Sequence, residues 1–172
     1  MVFAPDVAEA LGAAVDLVNA EDFSSLDVAL AFFQRWSYTG SIPISVADVD
    51  AVRAIRPTLR ALFTAPRDDA VTLINTILRE QNALPQLVRH DHLDWHIHAV
   101  GQDRPWHQRI LVESAMAMVD VVRANEMSRL RVCAATGCDG IVLDLSRNRS
   151  RRYCSTTCSN REAQAAHRAR LR

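Results

Sequence analysis

The stretch Arg151–Gln164, "RRYCSTTCSNREAQ", sets two cysteines between a knot of arginines and a segment of helix-forming composition. Cys154 and Cys158 stand at i, i+4, a spacing that brings two sulfurs to one side of a helix's first turn. A helix N-terminus also favours thiolates, through its dipole and its free N–H groups. The other two of the four cysteines, Cys133 and Cys138, lie just upstream in "RVCAATGCDG", so the full spacing is C-x4-C-x15-C-x3-C. Gly137 lets the chain turn sharply before Cys138. Between the pairs, "GIVLDLSRNRSRRY" reads as a short apolar run, a polar turn and a return segment, which predicts a β-hairpin.

Four soft ligands on two short, rigid pieces of chain suit a tetrahedral zinc ion. The rival readings are weaker. A disulfide needs an oxidising compartment. A thioredoxin-like pair needs C-x-x-C in a βαβ setting, which the sequence lacks. A catalytic zinc keeps one position open, whereas Cys133, Cys138, Cys154 and Cys158 would close it. The expectation is one structural Zn2+ in a knuckle, hairpin and helix of treble-clef type, and a segment this short depends on the ion to fold.

The surroundings of the cysteines are basic. The 172-residue chain has no lysine, and its twenty arginines are matched by twenty acids. That neutrality cancels two unlike parts. Residues 1–128 hold 10 Arg against 17 Asp and Glu, a net −7, and residues 129–172 hold 10 Arg against Asp139, Asp144 and Glu162, a net +7. Such asymmetry points to an anion- or nucleic-acid-binding end. Arg147, Arg149, Arg151 and Arg152 run through the predicted turn and return strand, where they would meet phosphates. Arg161, Gln164, Arg168 and Arg172 fall at i, i+3, i+7 and i+11, one face of a helix able to enter a major groove. A merely solvated arginine surface is the bland alternative; the concentration of charge argues against it.

Upstream, residues 1–128 are predicted to form a mainly helical domain. Val7, Leu11, Ala14, Val15 and Val18 recur at helical spacing behind Pro5. "SSLD" and "SVAD" each offer a capping hydroxyl followed by an acid, opening helices that carry Leu30, Phe33 and Trp36, then Val49, Val52, Ile55, Leu59 and Leu62. Pro57 should kink or split the second of these. "DDAVTLINTILREQN" makes another helix, and Pro105 starts a long one striped by Ile110, Leu111, Met118, Val121 and Val122. Between them "PQLVRHDHLDWHIHAV" alternates with period two, predicting a half-buried strand paired with Leu87–His90. Leu93, Trp95, Ile97 and Ala99 are expected on its core face, with His92, Asp94, His96 and His98 outward. Asp16 and Asn19, near a helix end, are expected to cap or to satisfy backbone. "MVFAPDVAEALG" has no cationic leader, and no apolar run approaches the roughly 18 residues of a membrane span, so a cytoplasmic location with no membrane partner is expected.

The finger segment "CAATGCDGIVLDLSRNRSRRYCSTTCSNREAQAAHRAR" resembles the CGNR zinc finger, a bacterial C-terminal module named for the tetrapeptide at its last ligand. Asp144, Ser146, Arg147, Asn148, Arg149, Ser150, Arg151 and Arg152 follow the family's order. Tyr153 stands where the family has tryptophan and Ser159 where it has glycine, so the motif here reads C-S-N-R through Asn160 and Arg161. Neither departure removes a ligand. "AVDLVNAEDFSSLDVALAFFQRW" resembles the opening of the ABATE (Jann2411-like) domain, which usually precedes this finger. The resemblance implies a bacterial stress-induced transcriptional regulator that binds DNA through the finger, Asn160 included, while the upstream domain senses a small-molecule effector or mediates assembly, a homodimer among the options. A protein- or RNA-binding adaptor is the alternative. His96, His98 and Trp95 are the candidates for a ligand pocket. No Ser/His/Asp or phosphate-loop pattern is present, so no enzyme is expected.

Overall fold

Pro57 divides the helical part as its chemistry requires. The computed structural model describes residues 3–38, 44–89 and 94–171. Helices α1 (Pro5–Asn19) and α2 (Leu26–Arg35) are followed by α3 (Val46–Ala54) and α4 (Arg56–Thr64), and Pro57 is the second residue of α4, where its missing N–H costs nothing. Ser45 and Asp48 close a reciprocal capping box on α3, and Ser25 caps α2 by accepting from the Val28 N–H at 3.3 Å. Helix α5 (Arg67–Glu80) leads to strand β1 (Gln86–Val88), strand β2 (His96–His98) and the long α6 (Trp106–Arg123). A 3-10 turn at Met127–Arg129 then opens β3 (Leu130–Val132), β4 (Ile141–Leu143) and α7 (Thr156–Arg170). No helix is long and apolar enough to cross a membrane among the described residues.

Helix α6 is the spine. It packs along α1 and α5, with α3 and α4 closing the same core. Leu11, Leu17, Leu59, Leu62, Phe63, Ile110 and Met118 are fully buried there. The predicted stripes supply this core, except that Leu30 faces solvent.

The two-stranded ribbon departs from the expectation at Trp95, His96, Ile97 and His98, whereas Ala99 is buried and Asp94 exposed as expected. Strands β1 and β2 pair antiparallel, with Leu87 opposite Ile97 and Val88 opposite His96. Leu87, Trp95 and Ile97 are exposed, whereas His96 is buried and His98 half-buried. The two histidines line a cavity together with Arg109 and Glu113, and His96 finds partners within the ribbon, the Asp94 carbonyl at 2.7 Å and His98 Nε2 at 3.1 Å. His90, His92 and Leu93 lie outside the described residues.

The cysteine module shares the helical domain's core. Leu130, Ile141 and Leu143 belong to the same buried cluster as α1 and α6. At the seam, Asn19 at the end of α1 accepts from the Ile141 N–H (2.7 Å) and donates to the Ile141 carbonyl (2.8 Å), imitating a neighbouring strand. Asn19 thus satisfies backbone, but that of a strand 122 residues away. Asp16 accepts from the Trp36 indole at 2.9 Å and pairs with Arg35. Arg60 of α4 donates to the Asp139 carbonyl at 2.6 Å. Replacing Asn19 by alanine leaves two backbone groups of β4 without partners, which should cost about 1–3 kcal/mol. The loss should appear as a lowered thermal midpoint and faster amide exchange at Ile141, with helices α5 and α6 unaffected at equal temperature.

Candidate metal centre and basic surface

Strands β3 and β4 end at the first cysteine knuckle, so the hairpin encloses Cys133 and Cys138 in its turn. The hairpin expected from the sequence joins β4 to the return segment 151–153 instead. That segment is no strand: β4 pairs with β3, Leu143 opposite Leu130, and the Ala134 N–H to Arg152 carbonyl bond (3.0 Å) links the return segment back to the knuckle. The second pair also differs slightly from the expectation. Cys154 precedes the helix, Ser155 is its N-cap, and Cys158 lies in the first turn, its N–H donating to the Ser155 hydroxyl at 3.2 Å.

The four sulfurs converge. Cys138 Sγ is 3.6 Å from Cys154 Sγ and 3.6 Å from Cys158 Sγ, Cys154 Sγ is 3.7 Å from Cys158 Sγ, and all four lie within 4.8 Å of one another. A tetrahedron with Zn–S bonds of about 2.3 Å has edges of about 3.8 Å, so the donor set fits zinc in both chemistry and spacing. Backbone N–H groups point at the sulfurs, from Cys154 to Cys133 Sγ (3.3 Å) and from Gly140 to Cys138 Sγ (3.4 Å). Gly140 is required by space, because a Cβ there would sit 2.9 Å from Cys154 Sγ. Burial, and after it the crowding of the other thiols, pushes Cys154 up to about 12. Burial opposes ionisation of Cys133 too, but N–H donors from Ala135 and Cys154 outweigh it and bring that thiol down to about 7. Four sulfurs packed this closely become thiolates together only around a cation. They are the ligand set of one structural zinc ion, and bound zinc supplies the cross-link that a core this small lacks.

Asp144 organises the arginine loop. It is fully buried, and its carboxylate accepts from the Ser146 N–H (3.0 Å) and hydroxyl (2.5 Å), the Arg151 N–H (2.8 Å) and Arg131 Nη2 (3.0 Å). Burial opposes its charge, but these donors outweigh burial and hold its pKa below the usual carboxylate value. Buried Arg129 donates to the carbonyls of Asp144 (2.8 Å) and Ser146 (2.9 Å) and to Glu126 (2.8 Å).

The predicted DNA-facing residues are all exposed, Arg172 excepted, which lies outside the described residues. They differ in what already occupies them. Arg147 and Arg168 have no ion pair among the described residues, and Arg152 lies over the Tyr153 ring at 5.7 Å. Arg149 pairs with Glu126 at 2.7 Å. Arg151 donates to the carbonyls of Tyr153 (3.3 Å) and Cys154 (3.1 Å), so it braces its own loop. Arg161 donates to the Thr136 carbonyl (3.0 Å), and its neighbour Glu162 accepts from the Thr136 N–H (2.8 Å). These bonds dock the first turns of α7 on the knuckle. Cys158 is the only buried residue of the helix, and Asn160, Gln164 and Arg168 project to solvent.

The helical domain has its own cavity, of about 140 Å³, between α1, the end of α2, β2 and α6. His96 and His98 line it, their Nε2 atoms 3.1 Å apart, whereas Trp95 is exposed and forms no part of its wall. The tryptophan that does line it is Trp36. Arg109, Glu113 and Tyr38 line it as well and escape a reading of the sequence alone. A signal for the first two exists: Arg109 and Glu113 stand at i, i+4 on α6, beside apolar neighbours that are buried.

The fold and the site together define a helical domain fused through a shared core to a closed four-cysteine zinc module. Comparison with known families agrees in both parts. Residues 129–171 match the CGNR zinc finger, and residues 7–125 match the ABATE family, described as "Putative stress-induced transcription regulator". The second match covers more than half of the chain, which belongs to that family. Both families are of regulator and zinc-finger type rather than enzymes. No curated protein matches the chain.

Proposed function

We propose that this chain is a bacterial DNA-binding transcriptional regulator, in which a finger over 129–172 contacts DNA and a helical domain over 1–128 senses a ligand or mediates assembly. The observation that carries the reading is α7 itself. It is a 15-residue helix exposed along almost its whole length and fixed only at the zinc end, with arginines on the outward side. A helix of that length runs about 22 Å, and a major groove about 12 Å wide admits it. Arg147, Arg149 and Arg152 would meet phosphates, Arg151 would hold their loop in shape, Arg161 would hold α7 on the knuckle, and Asn160, Gln164 and Arg168 would face base edges.

Affinity for duplex DNA should fall steeply with salt. Replacing Arg147 or Arg152 by alanine should flatten the log–log slope by about 0.9 for each phosphate no longer neutralised, and should weaken all sequences alike. Arg168→Ala should instead relax preference at one position of a selected site. A slope unchanged after removal of both Arg147 and Arg152 defeats the phosphate assignment. Structured RNA outcompeting duplex DNA at matched salt would favour the adaptor reading of the finger.

A further inference from the structure

The cavity of the helical domain has a charge problem at its floor. Arg109 is 3% exposed, stacks over the Trp106 ring at 4.6 Å, forms no ion pair among the described residues, and its Nη1 has no hydrogen-bond partner. A buried guanidinium without a counter-ion costs several kcal/mol, so proteins rarely leave one unless something arrives to meet it. The carboxylate nearest in charge is Glu113, one turn along α6, but burial pushes its pKa up to about 7 even against the pull of Arg109. Near neutral pH it therefore neutralises Arg109 only in part. The apolar part of the cavity's lining includes Ala13, Ala99 and Ala117, all buried, and Trp36.

We infer that this cavity binds a compact organic carboxylate, its anionic group directed to Arg109 and its hydrocarbon body against the alanine wall and Trp36. The inference rests on the sensing half of the function proposed above and names the chemical class sensed. Size supports it, since a cavity of about 150 Å³ accommodates a benzene ring. The cavity also carries Asp6, Glu9 and Asp120, which would attract an amine instead. All three, like Glu113, are half-buried, where charges are solvated and screened, whereas Arg109 is buried. The deep charge decides the class. Anion binding beside Glu113 should also raise the proton affinity of that side chain, so that the acid enters with partial proton uptake near pH 7. The groups facing Glu113 across the cavity are Asp6 and Glu9 of α1, Tyr38 after α2, His96 and His98 of β2, and Arg109 and Asp120 of α6.

The test uses the intact zinc-loaded chain without DNA, followed by intrinsic tryptophan fluorescence and by calorimetry in two buffers of different ionisation enthalpy. The probes are benzoate, its neutral isostere benzamide and its cationic counterpart benzylamine. Benzoate should bind at least about tenfold more tightly than either, a difference of about 1.4 kcal/mol. Arg109→Gln should erase the difference between benzoate and benzamide. Glu113→Gln should keep benzoate binding and abolish the proton uptake, a readout that survives if the Arg109 variant fails to fold. Benzylamine binding as well as benzoate, or no benzoate binding at millimolar concentration, overturns the inference. Because no DNA is present, either result leaves the finger's role to be judged by the salt slope alone.

Discussion

Removing zinc is expected to unfold the cysteine knuckle, the arginine loop and α7 while leaving helices α1 to α6 intact. Few apolar groups hold the module together. Its own buried cluster is Cys133, Ala135, Val142 and Cys158, with Tyr153 half-buried beside them, and the later turns of α7 are exposed. Burial of one or two aliphatic side chains contributes about 1.5–3 kcal/mol each, against roughly 1.5 kcal/mol of conformational entropy for every residue ordered. Zinc binding to four thiolates, on the order of 10 kcal/mol, is what tips that balance. Chelation or Cys158→Ser should therefore remove the helical circular-dichroism signal of α7's 15 residues, and zinc should restore it in the chelated protein. The β3–β4 hairpin should keep partial amide protection, because Leu130, Ile141 and Leu143 are anchored in the main core. A metal-free, fully reduced protein with α7 still protected from exchange would contradict the role given to the ion.

Replacing Asp144 by alanine should produce the second largest loss, about 3 kcal/mol, at the low end for a broken buried pair because Arg131 keeps access to solvent. Four donors lose one acceptor, and the loop that presents Arg147, Arg149 and Arg152 loses its fold. The thermal midpoint of the zinc-loaded protein should fall by roughly 6–12 °C. The effect has a direction in pH. The pKa of Asp144 is depressed in the folded chain, so its stabilisation is fully present above the unfolded value of about 3.9 and fades as acid takes the pH through the folded value. Wild type and Asp144→Asn should thus differ most near neutrality and converge in strong acid. A difference below about 1 kcal/mol at pH 7 would show that the serine and arginine donors find other acceptors.

The metal ligands and the helices were legible because their signals are local. Cysteine spacing, the capping residues Ser25 and Ser45, and the break at Pro57 each act within a turn or two of chain. The stripe on α6 repeats at helical period and needs only a core to face. The ribbon misled for the same reason: alternation shows that β2 has two faces, but which face is buried depends on what lies beneath it. Here His96 and His98 line the cavity that Arg109 and Glu113 also line, while Trp95 and Ile97 stay exposed.

By itself, then, the sequence determined that four cysteines would meet, that the last quarter of the chain would be cationic, and that the rest would be mainly helical. Tertiary structure alone decided that β4 pairs with β3, that Asn19 joins α1 to Ile141, and that a buried arginine lies in a cavity below the histidines. The physical reason is range. Caps, turns and ligand pairs are satisfied within a few residues, whereas strand partners and buried charges are satisfied by groups that only the folded chain brings near.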